Sequence, residues 1–162
     1  MNNKINAIII TYNPDIELLS NEYTSIHNQV AQLIYIDNNS RNRDEIQQWV
    51  LNKPKTVFIG LQNNEGIAYA QNIGIKKALA DEASHIILFD QDSVVDANFI
   101  DSLLNAEKKA IFDGLNVGIT GPIYKSPTDG YLYPITTFDG KKYQTIPFDS
   151  TNEYICVSHV IA

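Results

Sequence analysis

Apolar residues fall along this chain in two alternating kinds of block, one short and continuous, the other longer and periodic. Ile5–Thr11 is a short apolar run of the kind that fills a strand buried on both faces. Pro14 marks a helix start. Ile16, Leu19, Tyr23, Ile26 and Val30 then follow at helical steps along one face. Leu33–Ile36 reads as a second strand, closed by the turn-forming run Asp37-Asn38-Asn39-Ser40. A short helix over 44–51 turns Ile46, Trp49 and Val50 inward, and Thr56–Leu61 reads as a third strand. An alanine-rich helix covers Gly66–Ala80, and a fourth strand, Ile86–Phe89, ends in Asp90-Gln91-Asp92-Ser93. Asn98–Phe112 is helical, with Phe99, Leu103, Ala106 and Ala110 on one stripe and Leu104 and Ile111 beside it. Val117–Thr120 reads as a fifth strand, stopped by Gly121-Pro122.

Strands that alternate with helices of this length predict an α/β fold. Crossover units build a mostly parallel, Rossmann-like sheet with helices on both faces. The pattern changes after residue 122, which separates an α/β part (1–122) from a β-rich remainder (123–162). There, Tyr131–Phe138 and Lys141–Phe148 predict a C-terminal hairpin around Asp139-Gly140, with Pro134 and Pro147 marking edge strands. The sequence stops inside the apolar run Tyr154–Ala162, whereas a chain end is usually polar. The expectation is an incomplete domain.

Composition narrows the classes. With 162 residues, 44% of them hydrophobic and 19% charged, the chain has room for one real core and is not a disordered chain. A net charge of −7 disfavours nucleic acid as a partner. No apolar stretch is long enough for a transmembrane segment, and Ile8-Ile9-Ile10 breaks off at Thr11-Tyr12-Asn13-Pro14 without the pattern of a signal peptide. The lone Cys156 allows no intrachain disulfide and reads as a small buried apolar residue. These features fit a reducing, cytoplasmic location. His27, His85 and His159 are scattered single residues with structural roles, and Lys76-Lys77, Lys108-Lys109 and Lys141-Lys142 are solvated faces.

Ligands of an open parallel sheet bind beyond the carboxyl ends of its strands. Four polar clusters sit at such ends: Thr11-Tyr12-Asn13, Asp37-Asn38-Asn39-Ser40, Asn63-Asn64-Glu65-Gly66 and Asp90-Gln91-Asp92. Asp37 can accept from the imide N–H of a base, and Tyr12 offers a face for stacking. Asn64 and Gly66 let the backbone approach a ligand at a helix N-terminus, which favours anions. Asp90 and Asp92 are hard oxygen ligands two residues apart, suited to a divalent metal, Mg or Mn. Two like charges at 4 Å repel by about 1 kcal/mol in water and about 4 kcal/mol at an effective dielectric of 20. A diphosphate beside this acidic pair therefore calls for a cation.

The runs Ile-Ile-Thr-Tyr-Asn (9–13), Ile-Asp-Asn-Asn-Ser (36–40), Asn-Glu-Gly-Ile-Ala-Tyr-Ala-Gln-Asn-Ile-Gly (64–74) and Leu-Phe-Asp-Gln-Asp-Ser (88–93) resemble glycosyltransferase family 2. These are inverting enzymes of the GT-A fold. The third and fourth runs are most similar to the rhamnosyltransferase branch, which uses dTDP-rhamnose. The resemblance implies that 1–122 is the donor-binding half and 123–162 the start of the acceptor-side region. It implies that Thr11, Tyr12 and Asn13 line the nucleotide pocket and that Asp37 reads a thymine or uracil base. Asn64, Gly66 and Asn72 then shape the wall near base and ribose, Asp90 faces the ribose or the metal shell, and Asp92 binds the metal. Gln71 stands where many members carry arginine, so no phosphate clamp is expected from that helix. The family's general base comes later in the chain, beyond Ala162, and no catalytic residue is assigned here. The implied partners are a dTDP- or UDP-sugar and a cell-surface or lipid-linked glycan acceptor, met at the inner face of the membrane by peripheral association.

Two other readings stay open at this level. Ile86–Val94 resembles the first motif of haloacid-dehalogenase-like phosphatases, with Asp90 as nucleophile, Asp92 as acid/base and Thr120 as a second-motif hydroxyl. That motif normally opens its catalytic core, whereas three crossover units precede it here. The third reading is a nucleotide-binding fragment that is inactive on its own.

Overall fold

The computed structural model describes residues 3–124, 126, 128–138 and 141–146. In chain order the elements are β1 (Ile5–Thr11), α1 (Ile16–Ile26), β2 (Gln32–Asp37), α2 (Arg43–Leu51), β3 (Thr56–Gly60), α3 (Ile67–Ala80), β4 (His85–Asp90), α4 (Phe99–Phe112), β5 (Ile135–Phe138) and β6 (Tyr143–Ile146). They fall into two compact units, Met1–Phe99 and Ile100–Ala162.

In the first unit, β1 to β4 form a parallel sheet in the order β3-β2-β1-β4. The central strands β1 and β2 are apolar at nine of their thirteen positions, as strands with both faces covered require. Ala7, Ile8, Ile9, Leu33, Ile34, Tyr35 and Ile36 are all essentially inaccessible. Each such Ile or Leu contributes about 1.5–3 kcal/mol relative to an exposed one. The flanking strands β3 and β4 are only half-buried.

Strand alternation sorts the core into two layers. Ile8, Ile34 and Ile36 face α3 and pack with Ala70 and Ala78. Gly74 sits in the same line, and a Cβ there would lie 2.5 Å from Cγ2 of Ile8. The small residues of α3 thus set how closely the helix approaches the sheet. On the opposite face, Tyr35 meets Glu22 of α1 and Trp49 of α2. Helices therefore cover both faces, as the sequence pattern predicts.

Helix α1 starts at Ile16, two residues later than Pro14 suggests. Asp15 is the N-cap, and its carboxylate accepts from the Glu17 and Leu18 amides. An aspartate side chain satisfies free helix donors, which a proline cannot do. Glu22 of the same helix is wholly buried among Leu19, Tyr23 and Ile26. Its Oε2 accepts from the Tyr35 hydroxyl at 2.9 Å, and Oε1 has no partner among the described residues. Burial pushes this carboxyl up to about 8. The Tyr35 phenol is likewise pushed upward by burial and by Glu22, so it stays a donor. His27 stacks on Tyr23 at 4.6 Å and contacts its carbonyl, a packing role.

The fifth strand does not form. Residues 117–120 are irregular, and Ile119 is 75% exposed. Gly118 interrupts the run and Gly114 takes φ 87 just before it, so little side chain is available to hold a strand. In the second unit, β5 and β6 pair antiparallel with Phe138 opposite Tyr143, which gives the predicted hairpin in a shorter form. Its turn at Asp139-Gly140, Pro147, Cys156, His159 and the run 154–162 lie outside the described residues. No helix among the described residues is long and apolar enough to cross a membrane.

Candidate functional site

Because β1 to β4 run parallel, their carboxyl ends share one edge. Thr11 is in register with Asp37, Asp37 with Gly60, and Ile10 with Asp90. Neighbouring strands lie about 4.8 Å apart, so the backbones of Asp37 and Asp90 are separated by about 10 Å across β1. The four polar clusters are brought together on this edge, within the first unit.

Side chains tie the four loops to one another. Asp37 is completely buried, and its two oxygens accept from the Thr11 hydroxyl at 3.1 Å and the Ser40 amide at 3.0 Å. Ser40 Oγ in turn accepts from the Asn13 amide at 2.8 Å, and Asn13 Oδ1 accepts from the Arg41 amide at 2.8 Å. Asn13 and Asn39 hold left-handed backbone, with φ 50 and φ 67. Asparagine tolerates that region better than other non-glycine residues.

Asn38 carries the tie onward to the β3–α3 loop. Its Nδ2 donates to Asn64 Oδ1 at 2.9 Å, and its Oδ1 accepts from the Glu65 amide at 2.9 Å. Asn64 Oδ1 also accepts from the Gly66 amide at 3.1 Å. Two donors on that oxygen fix the orientation of the amide and leave Asn64 Nδ2 without a partner among the described residues, able to donate to a ligand. Gly66, the N-cap of α3, adopts φ 82 and ψ 161, a region open almost only to glycine.

The sequence-derived residues thus take different places. Tyr12, Asn13, Asn64, Gly66, Asp90 and Asp92 are exposed at the edge, whereas Thr11 and Asp37 form its buried floor. Asp37 is fully buried in this structure, with the Thr11 hydroxyl and the Ser40 amide on its two oxygens. Asn72 stands apart. It is exposed on the face of α3 away from Ala70, Gly74 and Ala78, about 7.5 Å along the helix from its first residue. Sequence reasoning noted Asn38, Ser40 and Gln91 only as loop residues, yet they make the ties, Gln91 by accepting from the Tyr12 amide. Their signal was the density of Asn, Ser and Gln at strand ends, which marks side-chain-to-backbone bonding without saying between which loops.

Asp90 ends β4, and the Ser93 amide donates to its carbonyl at 3.2 Å, closing a tight turn. Asp90 and Asp92 are exposed on this turn. No group of three or more His, Cys, Asp or Glu gathers in metal-holding range among the described residues. Mg²⁺ is usually held by one or two carboxylates together with phosphate oxygens and waters. Asp90 and Asp92 match that number of carboxylates and do not form an all-protein cage.

Comparison with known proteins adds the family. Residues 7–160 match the profile described as "Glycosyl transferase family 2". The chain is 36% identical over 135 residues to "dTDP-rhamnosyl transferase RfbF" of Shigella flexneri, an alignment covering 83% of this chain and 43% of that protein. The chain thus spans less than half the length of this curated relative. Among solved structures it resembles the crystal structure of S. aureus TarS 1-349, with a TM-score of 0.52, 17% identity, and coverage of 67% of this chain and 33% of that one. At that identity the likeness speaks for the fold. Together with the parallel sheet and its cross-tied loops, the family match shows that this chain belongs to glycosyl transferase family 2.

Proposed function

We propose that the carboxyl edge of the sheet binds the nucleoside diphosphate of a nucleotide sugar. The chain is then the donor-binding part of an inverting glycosyltransferase that moves L-rhamnose from dTDP-rhamnose to a cell-surface or lipid-linked glycan. The observation that carries this reading is the set of four strand-end loops tied around the end of β1, with an exposed aromatic and an exposed carboxylate pair on one edge. The donor sugar is suggested by the Shigella relative, a dTDP-rhamnosyl transferase.

In this reading Tyr12 stacks on the base, and Asn64 Nδ2 donates to an oxygen of base or ribose. Gly66 keeps that wall free of a side chain, and Asn72 lies at its outer margin. Asp37 serves the pocket from below, holding Thr11 and Ser40 and through Ser40 the Asn13 peptide. Asp92, with Asp90, would hold a divalent cation, which supplies positive charge beside the leaving diphosphate. An acceptor hydroxyl, deprotonated by a general base, attacks the anomeric carbon from the face opposite the nucleotide. No residue of this chain is assigned as that base. An acceptor at the membrane makes peripheral association with the inner face part of the proposal.

A phosphatase reading puts Asp90 forward as nucleophile. The family match over 7–160 speaks for sugar transfer instead. The test is a thermal-shift screen of dTDP, UDP, ADP and a generic phosphomonoester, with and without Mn²⁺. A ligand at 100 times its Kd adds about 2.7 kcal/mol. Stabilisation by dTDP or UDP in Mn²⁺ alone supports the proposal. Turnover of the phosphomonoester with no response to either nucleotide would overturn it. Binding without any sugar transfer in the presence of acceptor would leave a nucleotide-binding module.

A further inference from the structure

Gln91 is the middle residue of Asp90-Gln91-Asp92, and the donor reading gives it no task. Its neighbours Asp90 and Asp92 are exposed, whereas Gln91 is half-buried. Its carboxamide turns back across the sheet edge, and Oε1 accepts from the Tyr12 amide at 2.9 Å. The β1–β4 ladder ends at Ile10 opposite Asp90. The chain then leaves strand geometry in the turn closed by Ser93. The Gln91 side chain therefore extends the ladder past its last backbone pair, with a side-chain oxygen in place of a peptide carbonyl.

Tyr12 is gripped on both sides as a result. Its own amide is held by Gln91 in the turn after β4, and the next amide, of Asn13, is held by Ser40 in the loop after β2 at 2.8 Å. The ring itself is free, 49% exposed. A backbone fixed from the loops on both sides, with an exposed ring, suits an aromatic that must present one face to a flat ligand. We infer that Gln91 is a positioning residue that aims the Tyr12 ring at the nucleobase, an inference that rests on the donor reading above. Its chemistry is specific. Asparagine is one methylene short, methionine matches the length with only a weak thioether acceptor, and glutamate keeps the oxygen acceptor but adds a third carboxylate to the turn.

The experiment is a double-mutant cycle on dTDP affinity, measured by calorimetry with wild type, Gln91→Met, Tyr12→Ala and the double variant. Loss of one hydrogen bond that orients the ring corresponds to weakening by roughly three- to tenfold. Gln91→Met should show that loss with Tyr12 present and change affinity less than twofold in the Tyr12→Ala background. An equal loss in both backgrounds overturns the inference, since Gln91 would then act without Tyr12. Hydrogen exchange of the Tyr12 amide gives a second readout. Exchange should be faster in Gln91→Met and protected again in Gln91→Glu, and unchanged exchange in Gln91→Met also overturns the inference. If wild type binds neither dTDP nor UDP, the donor reading itself falls and the stacking role falls with it. Tight wild-type binding with an additive cycle removes the role of Gln91 alone.

Discussion

Replacing Glu22 by glutamine should make the protein more stable at high pH and leave it nearly unchanged at low pH. Glu22 is fully buried, with one oxygen on the Tyr35 hydroxyl and the other without a partner among the described residues. Burial raises its carboxyl from 4.5 to about 8 in the folded chain, so it is a neutral acid at pH 7. The unfolded chain releases that proton above pH 4.5. Between 4.5 and 8 the folded state binds more protons than the unfolded state, so stability falls as pH rises and levels off above 8. The gap of 3.5 units, at about 1.36 kcal/mol each, amounts to about 5 kcal/mol across the window. That is a large share of the 5–15 kcal/mol typical of a domain.

Glutamine keeps an acceptor for Tyr35 and has no proton to lose. The assay is urea unfolding of wild type and Glu22→Gln from pH 4 to 9, followed by circular dichroism. Other titrating groups cancel in the difference. The two proteins should agree within about 1 kcal/mol near pH 4.5 and diverge by about 3–6 kcal/mol at pH 8.5, in favour of glutamine. Parallel stability curves across this range would refute the assignment of Glu22 as a buried neutral acid.

Other substitutions probe the packing and the site. Gly74→Ala places a methyl against Ile8 and should cost about 1–3 kcal/mol in thermal or urea unfolding, without a specific loss of nucleotide binding at temperatures where the fold persists. Asp37→Ala leaves the Thr11 hydroxyl and the Ser40 amide without their acceptor. At about 1–3 kcal/mol for each stranded group, it should lower urea stability measurably and speed amide exchange at Ser40. Asp92→Ala should abolish the Mn²⁺ dependence of dTDP binding in calorimetry, with little change in stability because the side chain is exposed.

Much of the first unit was legible from period alone. The apolar blocks at 5–11 and 33–36 are interior strands, and the run Leu19, Tyr23, Ile26 and Val30 is the buried face of α1 and its exit. The convergence of the polar clusters followed from parallel topology, since parallel strands place their carboxyl ends on one edge. What the pattern hid were polar residues that act inside. Glu22 lies on the apolar stripe of α1, where a count of hydrophobic positions simply passes over it. Asp37 reads as a loop residue, yet its oxygens also tie Thr11 to Ser40. The run 117–120 has β-forming residues, yet a strand is made by its pairing partner as much as by its own side chains.

The account stands on nucleotide occupying the carboxyl edge of the four-stranded sheet. Its most direct test is a titration of the isotopically labelled chain with dTDP in Mg²⁺, followed by amide chemical-shift mapping. The account predicts that the largest shifts gather at 11–13, 38–41, 63–67 and 90–92. Shifts confined to the opposite edge of the sheet, around Lys4, Lys55 and Ser84, or to the second unit around Tyr131 and Tyr133, would contradict it.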